Sequence, residues 1–199
     1  MPRITGRTVP ALFPVAGPVS VMLFGEAPGP RGADQSGIPF WGDGAGITVY
    51  RALAATGRAE VPEAAWGDWD GARFKALSLR PRLHGTALSN AYPACPTKDG
   101  DHFHAPSNRD LLAPLNLERL SAELAQAAAG RTSPLRVIAL GKRAQWVLSQ
   151  AEAPLIELCV LPHPSAQGLL QAAPGRGKGM KLEDLRAAWQ ENLQALLEA

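Results

Sequence analysis

The sequence predicts an α/β protein: a three-layer α/β/α sandwich around a central, mainly parallel, four-stranded sheet. Four short apolar runs are bounded mostly by glycine, proline or polar residues, as strands covered on both faces are. Segments with apolar residues at helical spacing lie between them. The two patterns alternate along the chain, which argues for parallel strands with helices packed on both sides. At 199 residues and 46% hydrophobic content the chain can bury a sizeable core, and it is read as one domain over residues 1–199.

In order, the predicted strands are residues 19–24, 86–90, 135–140 and 156–161. The first predicted helix, 47–55, is apolar and stops before Gly57. Residues 58–85 interrupt the alternation with Trp66, Gly67 and Trp69, and read as an insertion holding a helix or two. A helix over 115–129 has Leu117, Leu120 and Leu124 at helical spacing and ends at Gly130. A shorter one, 142–150, opens directly after Gly141. The last, 182–197, places Leu182, Leu185, Trp189, Leu193 and Leu196 on one face. There is no internal repeat and no long low-complexity tract.

Bulk properties narrow the function classes. No apolar run approaches the roughly 20 residues needed to cross a bilayer. The N-terminus carries Arg3 and Arg7, but Pro10, Pro14 and Pro18 break up any signal-like apolar stretch. Two cysteines, Cys95 and Cys159, are too few for a disulfide framework. A cytoplasmic protein without membrane attachment is expected. The net charge is only +2, so this is no bulk polycation. Residues 174–181 (PGRGKGMK) nevertheless carry three cations and no acid, and Arg80 and Arg82 sit together. Such stretches can contact phosphates; from charge alone, a solvated flexible loop is the simpler reading.

In an open α/β sheet, ligands bind beyond the carboxyl ends of the strands. After the first strand comes GEAPGPRGADQSGIPFWGDGAG, residues 25–46, whose glycines let backbone approach a ligand and whose prolines stiffen it. Neither a G-x-G-x-x-G nor a G-x-x-x-x-G-K-[ST] pattern is present, so a pocket wall fits better than a phosphate cradle. Phe40, inside this loop, can stack on a planar base, whereas Trp41 reads as core. Asn90 ends the second strand; its amide offers a donor and an acceptor side by side, although Asn is also a common turn former. His163 follows the fourth strand between Pro162 and Pro164, which hold its imidazole in one orientation. A neutral His there can donate to an oxygen developing negative charge. His102 and His104, near Cys95 and Asp101, match no ligand spacing for zinc, so no metal is expected. Cys159 reads as a small core residue.

Taken in order, GEAPG, GIPFWGDGAG, LSNAYPACP, SNRDLLAP, VIALGKRA and LPHPSAQGLL resemble the motifs of the uracil-DNA glycosylase superfamily. The set is most similar to the family 4 type and runs from about Val19 to Leu170, with 58–85 as the main stretch without a counterpart. Family 4 proteins hold a 4Fe–4S cluster on four cysteines; residues 1–20 here contain none, and no iron–sulfur cluster or other cofactor is expected. The resemblance implies excision of uracil or a related deaminated base from DNA in base excision repair, by a monomer. Gly25, Ala27, Phe40 and Asn90 would form the base site, with Asn90 reading uracil N3–H and O4. His163 would stabilise the leaving uracil at O2. Better-known relatives place Asp where this chain has Ala27, so Glu26 becomes the candidate for positioning water. Gly29 stands where some relatives carry a bulky residue against the thymine methyl. Ser165, Leu169, Leu170, Arg176 and Lys178 would contact DNA, with Leu169 or Leu170 wedging into the gap left by the extruded base. Alternatives are a member that binds DNA or damaged bases with little turnover, and an unrelated nucleotide- or sugar-phosphate-binding α/β protein.

Overall fold

The computed structural model describes residues 3–198. Its elements are β1 (Arg3–Thr8), β2 (Val21–Gly25), α1 (Ala33–Ser36), α2 (Gly46–Ala55), β3 (Ala59–Glu60), α3 (Glu63–Trp66), α4 (Gly71–Ala76) and β4 (Arg82–Leu83). They continue as β5 (Thr86–Asn90), β6 (Ala94–Thr97), α5 (Asn108–Leu111), α6 (Pro114–Ala128), β7 (Leu135–Leu140), α7 (Lys142–Leu148), β8 (Ile156–Leu161), α8 (Ala166–Ala172) and α9 (Leu182–Glu198).

The predicted strands form one four-stranded parallel sheet in the order β5-β2-β7-β8. Side chains alternate across each strand, and the core divides accordingly. Val21, Leu23, Leu88, Ile138, Leu140 and Leu161 face a layer containing α2, α8, α9 and the 58–85 stretch. Met22, Phe24, Ala87, Val137 and Ala139 face α6 and α7. Both faces of β2, β5 and β7 are therefore covered, as expected of mainly apolar runs, while β8 at the sheet edge keeps Glu157 and Val160 exposed.

Three strands have the predicted limits; the first does not. Val19 and Ser20 fall outside β2 because their backbone bonds go elsewhere: the Val19 carbonyl accepts from Arg131, and the Ser20 N–H donates to Gly85. The strand instead extends to Gly25, paired with Asn90 of β5. Residues 58–85 hold the short helices α3 and α4 and a small antiparallel pair, β3–β4. The sequence reading also missed the antiparallel pair β1–β6. Pro96 within β6 argues against a strand, yet proline is tolerated where no ladder donor is required.

The amino end of the sheet is tied down by arginines. Arg58 donates to the Leu197 carbonyl and Arg136 to the Leu196 carbonyl, capping the C-terminal turn of α9. Among the described residues no helix is long and apolar enough to cross a membrane.

Candidate active site

At the carboxyl ends of β2, β5 and β8 lies a cleft of about 620 Å³, within the usual range for small-molecule sites. Parallel pairing sets Gly25 beside Asn90. A Cβ on Gly25 would lie 2.6 Å from Asn90 Oδ1 and 2.7 Å from Phe40 Cε1, so only glycine lets these two side chains meet there. Asn90 lines the cleft and is 2% exposed, and its Nδ2 is buried without a hydrogen-bond partner. A buried amide left this way is costly in a native fold and points to a ligand or water that completes it.

Phe40 lines the same cleft with a positive φ of 62°, a sparsely populated conformation for a non-glycine residue. Gly46 makes that turn possible: a Cβ there would meet the Phe40 carbonyl oxygen at 1.5 Å. The neighbouring backbone is held by Ser36, whose hydroxyl donates to the Trp41 carbonyl at 2.7 Å, and by Tyr50, which donates to the Pro39 carbonyl. Trp41 is buried among Tyr50, Trp69 and Phe74, as expected of a core residue.

His163 lines the same cleft. Its Nδ1 accepts from the Ser165 backbone N–H at 3.2 Å, so in the neutral ring the proton resides on Nε2. Burial lowers its pKa, which favours the neutral form. Trp189 donates to the Pro162 carbonyl and fixes the backbone just before it.

Two carboxylates border the cleft. Glu26 sits 2.8 Å from Arg143 Nε, a charge pair lying off the hydrogen-bond axis. Burial raises the Glu26 pKa, with Arg143 opposing. Asp43, which the sequence reading passed over, is the second. Its Oδ1 accepts from the Gly46 N–H at 2.7 Å, and the Ala33 and Ala45 N–H groups also point to it. Desolvation still dominates, so its pKa is raised. Its backbone is clamped as well: Trp69 donates to the Asp43 carbonyl at 3.0 Å, and a Cβ on Gly32 would meet the Asp43 N at 2.2 Å. GDG reads as an ordinary turn in sequence; only the company of Phe40 three residues earlier hinted at more.

Behind Asn90 is a polar cluster that sequence reasoning also missed. Arg119 of α6 donates to the Asn90 carbonyl at 2.9 Å and the Ala91 carbonyl at 3.2 Å. The same side chain pairs with Glu123, which accepts from Ser89 at 2.7 Å.

Of the expected site residues, Glu26, Ala27, Phe40, Asn90, His163 and Ser165 all border the cleft, and Gly25 abuts it through Asn90 and Phe40. Ser165 caps α8 by accepting from the Gly168 N–H. Leu169 requires a correction: it is 4% exposed and packed in the core, so it is not placed to enter a duplex. Helical spacing turns it inward, while Leu170 is half-buried and lies over Gly177. Arg176 and Lys178 are exposed in the turn after α8 and do not line the cleft. Among the described residues no group of three or more His, Cys, Asp or Glu is placed to hold a metal ion.

Residues 15–191 match the family model described as the Uracil DNA glycosylase superfamily. A type-5 uracil-DNA glycosylase of Thermus thermophilus is 34% identical over 79 residues, covering 40% of this chain and 31% of that relative. The matched stretch thus spans about a third of the relative's length. The motifs resemble the family 4 type, the curated relative is named type 5, and the superfamily is the level at which the two agree. With the family match running through every strand of the parallel sheet and every residue bordering the cleft, the chain belongs to the uracil-DNA glycosylase superfamily.

Proposed function

We propose that this protein hydrolyses the N-glycosidic bond of uracil, or a closely related deaminated base, in DNA. The observation that carries the reading is the meeting of Phe40, Asn90, His163 and Asp43 in one cleft at the carboxyl end of the sheet. In this reading Phe40 stacks on the extruded base, a contact worth about 1–3 kcal/mol. The Asn90 amide pairs with uracil N3–H and O4; cytosine presents the reverse pattern and leaves both partners mismatched, at about 1–3 kcal/mol.

Bond cleavage places positive charge on the sugar and negative charge on the departing uracil. His163 donates from Nε2 to uracil O2 and stabilises that anion without transferring a full charge of its own. A carboxylate facing the sugar stabilises the cation and orients the water that adds to C1′. Glu26 is already paired with a cation, Arg143, whereas Asp43 is held by backbone N–H groups and pairs with no cation among the described residues, so its negative charge is the more available. Asp43 therefore takes the water-positioning role that Glu26 was expected to fill, and Glu26–Arg143 shapes the field around it.

Ala27 at the cleft favours a second reading, a member that binds deaminated bases with slow turnover. Uracil release from single-stranded and G·U oligonucleotides separates the two. Release by the wild type that is lost in Asn90→Ala and His163→Ala is expected; tight binding without release would leave the second reading, and neither would overturn both. The same cleft is proposed to work without an iron–sulfur cluster. Cys95 is buried in β6 and Cys159 half-buried in β8, and two thiols cannot supply four ligands. Iron and acid-labile sulfide in purified protein would refute this.

A further inference from the structure

We infer that Phe103 is a DNA-stacking residue at the mouth of the cleft, engaging the face of a base next to the extruded nucleotide. The inference rests on the proposed reading of the cleft as a base site. Phe103 borders that cleft and is 44% exposed, and it is the one aromatic among the exposed large hydrophobic residues described. Isolated apolar residues are common on surfaces, but this one is braced. Its backbone bridges to Thr97, and the following His104 N–H donates to the Pro96 carbonyl at 2.8 Å. Asp99 gathers the loop before it, accepting from the Asp101 and His102 N–H groups, each at 2.9 Å. On the other side, the Pro106 carbonyl accepts from Arg143, the same side chain that pairs with Glu26.

The chemistry of the loop selects the partner. Residues 98–103 carry Lys98 and His102 against Asp99 and Asp101, and His102 Nδ1 lies 2.7 Å from Asp99, so the segment offers phosphate no net attraction. An aromatic ring on an acidic, braced loop suits the uncharged face of a base better than the backbone. Removing a nucleotide from the stack exposes such a face on its neighbours; of the two leucines expected to cover it, Leu169 is buried and Leu170 is half-buried over Gly177, outside the cleft lining.

The test is binding of a single-stranded oligonucleotide with one uracil and an adjacent 2-aminopurine, followed across salt concentrations, with free uracil as competitor. Phe103→Ala should weaken oligonucleotide binding about tenfold or more. The slope of log K against log salt should not change, because no phosphate contact is lost. Competition by free uracil should also be unchanged, and Phe103→Trp should restore both affinity and 2-aminopurine quenching where Phe103→Leu does not. Wild-type affinity in Phe103→Ala would overturn the inference and leave the glycosylase reading intact. An equal loss for free uracil would overturn it too, making Phe103 a wall of the base site. If the wild type binds the oligonucleotide but releases no uracil, the catalytic reading fails, while the binding comparison still judges Phe103.

Discussion

Asp43 and Glu26 border one cleft, and burial raises the pKa of each, yet they differ in what surrounds the charge. Arg143 faces Glu26; peptide N–H groups of Ala33, Ala45 and Gly46 face Asp43, with the buried Tyr50 phenol close enough to feel its charge. Asp43→Asn is expected to lower the single-turnover rate of uracil release about 100-fold with little effect on oligonucleotide affinity. The sign of the pH dependence follows from the direction of the shift. Asp43 titrates above the ordinary aspartate value of 3.8, so on acidification it takes up a proton early, and the rate should fall as pH drops through that raised value. His163 is shifted the opposite way, by burial, which favours its neutral form. Rates measured between about pH 4 and 8 should show an acid limb that Asp43→Asn removes; an unchanged limb would move the role back to Glu26. His163→Ala should cost about 10²–10³ in rate, as loss of an anion-stabilising donor does.

Among the elements, α4 and α6 do work that their distance from the base conceals. Gly71 opens α4 against the 25–46 loop, and a Cβ there would fall 2.3 Å from the Gly32 carbonyl oxygen. Gly71→Ala should therefore destabilise the fold by about 1–3 kcal/mol, read by urea unfolding, and slow catalysis because Gly32 packs directly on Asp43. On the opposite layer, Arg119 holds the carbonyls of Asn90 and Ala91 from α6. Arg119→Ala strands Glu123, which is 12% exposed, and should cost on the order of 2 kcal/mol. The break in the alternation at 58–85 was legible, since the tryptophans of this stretch interrupt the pattern. Its purpose was not: contacts such as Trp69 with the Asp43 carbonyl join residues 26 apart and have no local signal.

Across the whole molecule, the parallel sheet was legible because β2, β5 and β7 are buried on both faces and the edge strand β8 is still mostly apolar. The strand-end rule points to Asn90 and His163, and both border the cleft. The β1–β6 pair was illegible for the opposite reason, since Gly6 and Pro96 mask any alternation. Leu169 turns into the core because the rotation of α8 against the sheet is a packing outcome, not a property of the motif preceding it. Arg176 and Lys178, exposed beyond the end of α8, remain candidates for the phosphate backbone. Replacing either with Ala should reduce the salt slope of DNA binding by about 1, uniformly across sequences. An unchanged slope would return the basic turn to the solvent.

The unpartnered Asn90 amide has a consequence for how this protein can drift. A buried polar group without a partner is a standing penalty, and an apolar residue of similar volume removes it. Asn90→Leu should therefore melt at the same temperature as the wild type or higher, while losing its discrimination for uracil. Selection for a durable fold alone would erode this position; under the proposed function, only continued use of the base site would hold asparagine there.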